Sequence, residues 1–215
     1  MADFRKLVAV SLLTGLLAGL LLSIIQHYQT LPMILEAERF ETPDPEHMHD
    51  WQPQDGWRRN AFTLLFNGLT GFGFALLIAA AMYWQGSSGY LRGLAWGLAG
   101  YLIFFAAPSL GLPPELPGTD SAELHNRQFW WLFTAAATAI GLYELVLSKS
   151  NWLKIAGVLV LITPHLIGAP QPEAFHATAP EELQQRFEWM SAFSNALFWL
   201  MLGALSGWLL PKFKL

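Results

Sequence analysis

Residues 162–173 read Ile-Thr-Pro-His-Leu-Ile-Gly-Ala-Pro-Gln-Pro-Glu, so an apolar run ends there in prolines and a carboxylate. Two other segments, residues 26–36 and 107–115, end an apolar run with proline and then glutamate in the same manner. Each segment is followed by an acidic stretch, an arginine and another apolar run rich in Phe or Trp. The sequence therefore predicts a unit of two helices joined by an acidic loop, used three times.

Alignment of the three segments on Pro32, Pro113 and Pro170 places His27, Pro108 and His165 at one position. Two histidines in register on neighbouring repeats predict that His27 and His165 converge on one axial metal site. The candidate partners are the glutamates that follow the three segments, namely Glu36, Glu115 and Glu173. Axial ligation of haem is the alternative use of such a histidine pair.

The composition is that of an integral membrane protein. Of the 215 residues 53% are apolar, and the chain contains 10 Trp and 15 Phe. It contains no cysteine, so any metal must be held by nitrogen, oxygen or thioether ligands. The net charge of -4 and the absence of a basic run argue against a nucleic-acid partner.

Six apolar runs predict six transmembrane helices in one membrane domain, arranged as three helical hairpins with a pseudo-threefold repeat. The predicted spans are residues 7–25, 61–84, 90–107, 129–147, 152–168 and 189–210, and the predicted outer loops are residues 26–60, 108–128 and 169–188. The first loop is also expected to hold a short helix around residues 33–40. The fifth span has only about 17 residues for a hydrocarbon layer of roughly 30 Å, so a five-span arrangement stays open.

Charge is distributed unequally between the two sides of the predicted bundle. Arg5, Lys6, Arg92 and four lysines of residues 149–214 lie in short segments on the side of both termini, which predicts that this side is cytoplasmic. The 16 carboxylates lie on the opposite side, apart from Asp3 and Glu144, and all six histidines lie there or at the outer ends of spans. This one-sidedness is the main functional signal in the sequence.

The segment Glu-His-Met-His-Asp at residues 46–50 places two imidazoles two residues apart between carboxylates. In an extended chain His47 and His49 point to one face, and imidazole with carboxylate suits divalent Co, Ni or Zn. A metal-capture role is predicted for the pair, and a solvated acidic loop with two incidental histidines is the alternative. His125 and His176 have no such register and are interpreted as surface residues.

Polar residues inside the even-numbered spans mark a candidate transport path. Asn67, Thr134 and Asn195 lie roughly two turns below the outer ends of their helices, where they either line a path or bind helices together. Glu144 is the one carboxylate within an apolar run, and it lies about one turn from the inner end, within snorkelling reach of the cytoplasmic surface.

Arginines open the even-numbered helices, and we expect them to pair with loop carboxylates as gating or cap pairs or to anchor to lipid headgroups. The residues in question are Arg59, Arg127 and Arg186. The sequence contains no nucleotide-binding loop, nucleophile elbow or zinc-protease signature, so we predict no enzymatic activity.

Four stretches give the chain a family resemblance: Gly-Leu-Ala-Trp-Gly-Leu-Ala-Gly-Tyr at 93–101, Ala-Pro-Ser-Leu-Gly-Leu-Pro-Pro-Glu-Leu-Pro-Gly at 107–118, Arg-Gln-Phe-Trp-Trp at 127–131 and Pro-His-Leu-Ile-Gly-Ala-Pro at 164–170. The chain resembles the CbtA-type cobalt transporter subunits of bacteria over nearly its whole length. The resemblance implies uptake of cobalt across the inner membrane for cobalamin synthesis. It also implies a small CbtB-type partner with one span and a histidine-rich tail.

The sequence thus predicts a transporter subunit that carries Co²⁺ as its cargo, with Ni²⁺ or Zn²⁺ as alternatives and without a permanently bound cofactor. A homo-oligomer is compatible with it. Two other functions stay open at this point. One is a membrane redox protein that binds haem or quinone through His27 and His165, and the other is a scaffold for a partner membrane protein.

Overall fold

The computed structural model describes residues 2–41 and 56–215. Most of these residues are helical, because a helix satisfies every backbone hydrogen bond within one apolar segment. The helices are α1 (Ala2–Tyr28), α2 (Thr30–Ala37), α3 (Trp57–Trp84), α4 (Tyr90–Tyr101), α5 (Ala107–Ser109), α6 (Leu124–Leu147), α7 (Asn151–Ile167) and α8 (Glu181–Leu209). Within the described ranges, β-type pairing is confined to an isolated antiparallel bridge between Thr119 and Ala177.

Within the described residues, five helical segments are long and apolar enough to cross a membrane. They are Asp3–Tyr28, Trp57–Trp84, Tyr90–Ser109, Leu124–Leu147 and Glu181–Phe213. The chain is therefore a multi-pass membrane protein, and the predicted all-α membrane fold is confirmed. The segment predicted as the fifth span forms α7, whose 17 residues rise only about 25 Å at ~1.5 Å per residue.

Three helices begin earlier than the spans predicted from hydropathy. α3 begins at Trp57 rather than at residue 61, α6 begins at Leu124 rather than 129, and α8 begins at Glu181 rather than 189. The added turns contain Arg, Gln and Glu, which are good helix formers although they are polar. A hydropathy pattern finds the apolar part of a helix and misses its polar first turns.

A wider helical turn interrupts the segment between α4 and α5. Leu102–Ala106 is π-helical, and the Ala107 N–H donates to the carbonyl oxygen of Leu102, five residues back. Pro108 follows and has no N–H to donate to the carbonyl four residues before it, which weakens the regular ladder here. Such π-turns occur frequently at functional sites.

The described chain divides into two compact units, and the first consists of residues 1–98 and 193–215. In this unit α1 packs on α3 so closely that a Cβ added to Gly71 would collide with the carbonyl oxygen of Gly15. The backbones of α4 and α8 approach each other equally closely at Gly93 and Gly203. Small residues allow such approach between helices in a bilayer, where packing rather than the hydrophobic effect holds helices together.

The second unit is residues 99–192. Here α6 packs on α7, and a Cβ added to Gly141 would lie 2.7 Å from the carbonyl oxygen of Gly157. The π-helical segment and α5 also contact α6.

These contacts bear on the predicted hairpins. The pairing of α1 with α3 is that of the first hairpin, and the contacts of the π-helical segment and α5 with α6 are those of the second. Close glycine contacts additionally join α4 to α8 and α6 to α7, which the hairpin pattern did not anticipate. The threefold repeat of hairpins stays a prediction.

Candidate functional site

His165 lies in the last turn of α7, where two neighbouring residues end the helix. Pro164 is buried inside the helix and cannot donate to the carbonyl one turn back. Gly168 adopts φ 87°, which favours glycine, and its N–H donates to the carbonyl oxygen of Pro164 at 3.0 Å. The local sequence thus terminates α7 two residues after the histidine and leaves the imidazole in the last turn of the helix.

An open pocket of about 400 Å³ is lined in part by the His165 side chain. Trp130 of α6 forms one wall, and Gly111, Gly168 and Gln171 contribute to the others. Trp130 is only 5% exposed, and its ring meets the imidazole edge to face, with centroids 6.0 Å apart and an interplanar angle of 74°. His165 itself is half-buried. The pocket therefore presents an imidazole against a rigid aromatic wall.

The loops on this side of the second unit are tied to each other. The Asp120 N–H donates to the carbonyl oxygen of His176 at 2.9 Å, and the Thr178 N–H donates to that of Gly118 at 3.1 Å. The Gln184 side chain of α8 donates to the carbonyl oxygen of Pro114 at 2.8 Å. We call the segments 110–123 and 168–180 the loop cap. These hydrogen bonds hold the two segments to each other and to α8.

An ion pair joins the loop cap to the first turn of α6. Arg127 contacts the Glu115 carboxylate at 3.2 Å, and the Ser121 hydroxyl donates to the same carboxylate oxygen at 2.7 Å. A second pocket of about 130 Å³ is lined by Glu115 and Arg127 together with Asp120 and Glu188, and it shares Gly111 and Gln171 with the His165 pocket. Glu115, predicted as a metal ligand, is thus engaged with a cation of the chain.

The corresponding region of the first unit is more open. His27 is exposed at the end of α1, and its ring contacts that of the adjacent Tyr28 with centroids 5.0 Å apart. Glu36 is exposed on α2. Arg59 pairs with Glu38, at 3.0 Å, which the sequence analysis did not single out. His27 and His165 belong to different units, so their predicted convergence stays a prediction.

The other predicted ligands are scattered. His47 and His49 lie outside the described residues. Glu173 is exposed in the loop cap. Within residues 2–41 and 56–215, no three side chains of the histidine and carboxylate type group together as a metal cage. Arg186, predicted as a cap pair, is exposed on α8.

The predicted path residues have distinct surroundings. Asn67 donates to the Ser23 hydroxyl oxygen at 3.0 Å and to the Gln26 amide oxygen at 2.6 Å, so its side chain joins α3 to α1. Thr134 is fully buried on α6, and its hydroxyl has no partner among the described residues. Asn195 and Glu144 are half-buried, and a Cβ added to Gly157 would lie 2.9 Å from the Glu144 Cβ.

Comparison with known families assigns the chain. The model of the family described as probable cobalt transporter subunit (CbtA) matches residues 4–211. The chain belongs to this family. No curated protein and no solved structure matches it. CbtA is a subunit by its description, so this chain functions together with at least one other component of a transporter.

The structure of this CbtA chain shows residues at the candidate site that the sequence patterns did not reveal. Trp130 is the most important, because it forms the wall of the His165 pocket from a position 35 residues away in sequence. Its place three residues after Arg127, in the Arg-Gln-Phe-Trp-Trp stretch, was the available signal. Gln184 and Glu38 were missed because their partners, Pro114 and Arg59, are distant in sequence and beyond the reach of a local pattern.

Proposed function

We propose that this CbtA chain is the membrane-spanning subunit through which cells take up a divalent transition-metal ion, with Co²⁺ as the first candidate. The observation that carries the proposal is the half-buried imidazole of His165, which lines a pocket of about 400 Å³ at a helix end. Imidazole is a good ligand for Co²⁺ and for its neighbours Ni²⁺ and Zn²⁺. The family description, probable cobalt transporter subunit, supports transport as the role of such a metal-binding residue.

Capture is assigned to the acidic loops. Carboxylates of the loop cap and of residues 26–60 raise the local concentration of cations through their summed field. We assign His47 and His49, with their flanking carboxylates, to the first encounter with the ion. From the positive-inside rule we infer that both termini lie in the cytoplasm of a bacterial cell and these loops on the outer face of the inner membrane.

Binding near the bilayer is assigned principally to His165. His27 with Glu36, and Glu173 of the loop cap, serve as additional weak ligands. A path past Asn67, Thr134, Asn195 and Glu144 offers oxygen ligands that bind the ion loosely, because conduction requires sites that also release it. The ion pairs of Arg59 and Arg127 hold the loops closed, and Arg186 provides a third cation at the corresponding helix start.

The partner is proposed from the family. We propose a small CbtB-type subunit with one span and a histidine-rich tail, which concentrates the ion for this chain. The imported cobalt then serves cobalamin synthesis.

Radiolabelled cobalt uptake tests the proposal. Cells expressing the chain with its partner are compared with empty cells and with a His27→Ala, His165→Ala double variant at matched membrane expression. We expect uptake above that of empty cells, lost in the double variant. If wild type gives no uptake above empty cells, transport by this chain is excluded, and a Soret band in the purified protein would then identify a haem-binding protein instead.

A further inference from the structure

Positive charge is concentrated in the first unit at the end where α1 begins and α8 finishes. Residues 2–10, 80–98 and 200–215 of this unit contain five Lys and Arg residues and a single carboxylate, Asp3. The two helices meet there, because the Lys6 ammonium donates to the carbonyl oxygen of Lys214 at 3.3 Å. The 3₁₀ turn Leu210–Phe213 that follows α8 also contacts α1.

Four cations surround this meeting point, and we call them the basic patch: Arg5, Lys6, Lys212 and Lys214. The carboxylate beside them is already engaged, since Asp3 contacts the Lys6 ammonium at 3.5 Å and accepts a hydrogen bond from the Tyr83 hydroxyl at 3.3 Å. The other three cations are exposed, and none of them has an acidic partner among residues 2–41 and 56–215. The patch therefore carries positive charge that no described side chain neutralises.

Lys214 adopts a backbone conformation that is unfavourable for a lysine. Its φ of 56° and ψ of 51° lie in the left-handed region that favours glycine. The Leu215 N–H donates to the Leu210 carbonyl oxygen, and the Lys214 N–H donates to that of Pro211. This is the Schellman pattern, in which glycine is the usual residue at the left-handed position. A side chain kept at a strained position indicates a functional role for that side chain.

A tryptophan orients another ammonium group of the patch. The Lys212 Nζ lies 3.3 Å from the centroid of the Trp208 ring, in a cation–π contact. Trp208 is 48% exposed in the last turn of α8, whereas Leu210 is buried and fixes the turn that carries Lys212. The patch lies at one end of two spanning segments, Asp3–Tyr28 and Glu181–Phe213. Exposed tryptophans at such ends lie at the level of lipid headgroups.

We propose that the basic patch binds the phosphate of an anionic phospholipid, of which phosphatidylglycerol is the probe used below, and holds this lipid against the start of α1 and the end of α8. The cations donate hydrogen bonds to the phosphate oxygens, and the lipid neutralises them. A zwitterionic lipid carries a cation of its own beside the phosphate, so the patch discriminates by net charge. The inference concerns a surface remote in sequence from the proposed metal ligands and does not depend on metal transport.

Competition between two lipids for the purified full chain tests the inference. The chain in a non-ionic detergent is mixed with equal amounts of phosphatidylglycerol and phosphatidylcholine of the same acyl chains, and native mass spectrometry counts the lipids that it retains. We expect wild type to favour phosphatidylglycerol by about tenfold or more, because each cation near a headgroup contributes about fivefold. The preference should shrink as the salt concentration is raised, since salt screens exposed charges.

Single substitutions assign the preference to the patch. Lys212→Gln and Lys214→Gly should each lower it by about fivefold. Lys214→Gly also separates binding from folding, because glycine is favoured at this φ and the melting temperature should be equal to or above that of wild type. Lys149→Gln removes the same charge from an exposed site between α6 and α7 and is the matched control. Its preference should stay within about twofold of wild type.

Four results would overturn the inference. They are equal retention of the two lipids by wild type, a preference that Lys212→Gln and Lys214→Gly leave unchanged, and a loss in Lys149→Gln as large as in these variants, which would indicate net charge rather than a site. The fourth is displacement of phosphatidylglycerol by a large excess of inorganic phosphate, which would identify a site for a soluble anion. Cobalt uptake enters none of these measurements, so each result leaves the proposed function as it stands.

Discussion

His27 and His165 occupy the same place in the sequence pattern but have different surroundings. His27 is exposed and touches the ring of its neighbour Tyr28, whereas His165 is half-buried against Trp130 in a pocket. The chain continues after His27 into another helix, Thr30–Ala37, whereas Gly168 ends the helix after His165 and the loop cap follows. The comparison teaches that two residues at the same place in a sequence pattern can differ in burial, because the segments that follow them differ.

The largest loss of stability is expected from a substitution at the close contact between α1 and α3 in the first unit, where both helices carry glycine. A Cβ on Gly71 would collide with the Gly15 carbonyl oxygen, so Gly71→Val should separate α1 from α3. We expect a destabilisation of about 3 kcal/mol or more, at the upper end of overpacking costs. The yield of monodisperse protein after solubilisation measures it.

Gly73→Val is the matched control for this variant. It lies on the same helix, and a Cβ there would meet nothing within 4 Å. Its yield should equal that of wild type apart from the small cost of a β-branched residue. Equal losses in both variants would mean that the α1 and α3 contact is not what holds the His27 region.

The second-largest effect is expected on cobalt binding, from a substitution beside the His165 pocket. Gly111→Ala places a methyl group against the Trp130 ring and should displace it from His165. We expect cobalt affinity to fall by about tenfold with a stability loss of only about 1–3 kcal/mol. Equilibrium binding to the purified chain measures the first quantity and thermal unfolding the second.

Gly73→Ala serves as the control for Gly111→Ala, since its Cβ enters open space in the unit that contains His27. Unchanged cobalt affinity in Gly111→Ala would show that the contact between Trp130 and His165 does not contribute to metal binding.

The smallest effects are expected for the two ion pairs, one in each unit. Arg59 with Glu38 and Arg127 with Glu115 have side chains that are 21–32% exposed, so solvent screens both pairs. We expect Arg59→Gln and Arg127→Gln to cost about 0.2–1 kcal/mol each.

Thermal unfolding at low and high salt measures these costs. The difference from wild type should shrink at high salt, because salt screens partly exposed charges. A loss of several kcal/mol in either variant would show that the pair is a structural anchor rather than a weak cap contact.

Much of the fold follows from composition and hydropathy. The apolar runs predicted the spanning helices, and the 17-residue run at α7 was predicted as the short one. The helix expected around residues 33–40 forms at Thr30–Ala37, because Thr30 and Leu31 can begin a helix directly after α1. Polar first turns and the π-helical segment were missed, since hydropathy does not report hydrogen-bond pattern.

The site could be predicted only in part. The Pro-His pair at residues 164–165 led directly to the imidazole that lines the pocket. Trp130 could not be found in the same way, because its contact with His165 depends on how α6 packs on α7. The sequence predicted that Arg59 pairs with a loop carboxylate but could not identify Glu38 as that partner, because the contact depends on how the segment after α2 lies against α3.

Radiolabelled cobalt uptake by the single variants His165→Gln and His27→Gln, at matched expression and with the partner subunit present, tests the central claim most directly. Because His165 is half-buried beside Trp130 whereas His27 is exposed, we expect His165→Gln to reduce uptake at low cobalt concentration by about tenfold or more and His27→Gln by less than about threefold. Equal losses would instead support one axial site shared by both histidines, and a larger loss in His27→Gln would contradict the assignment of the His165 pocket.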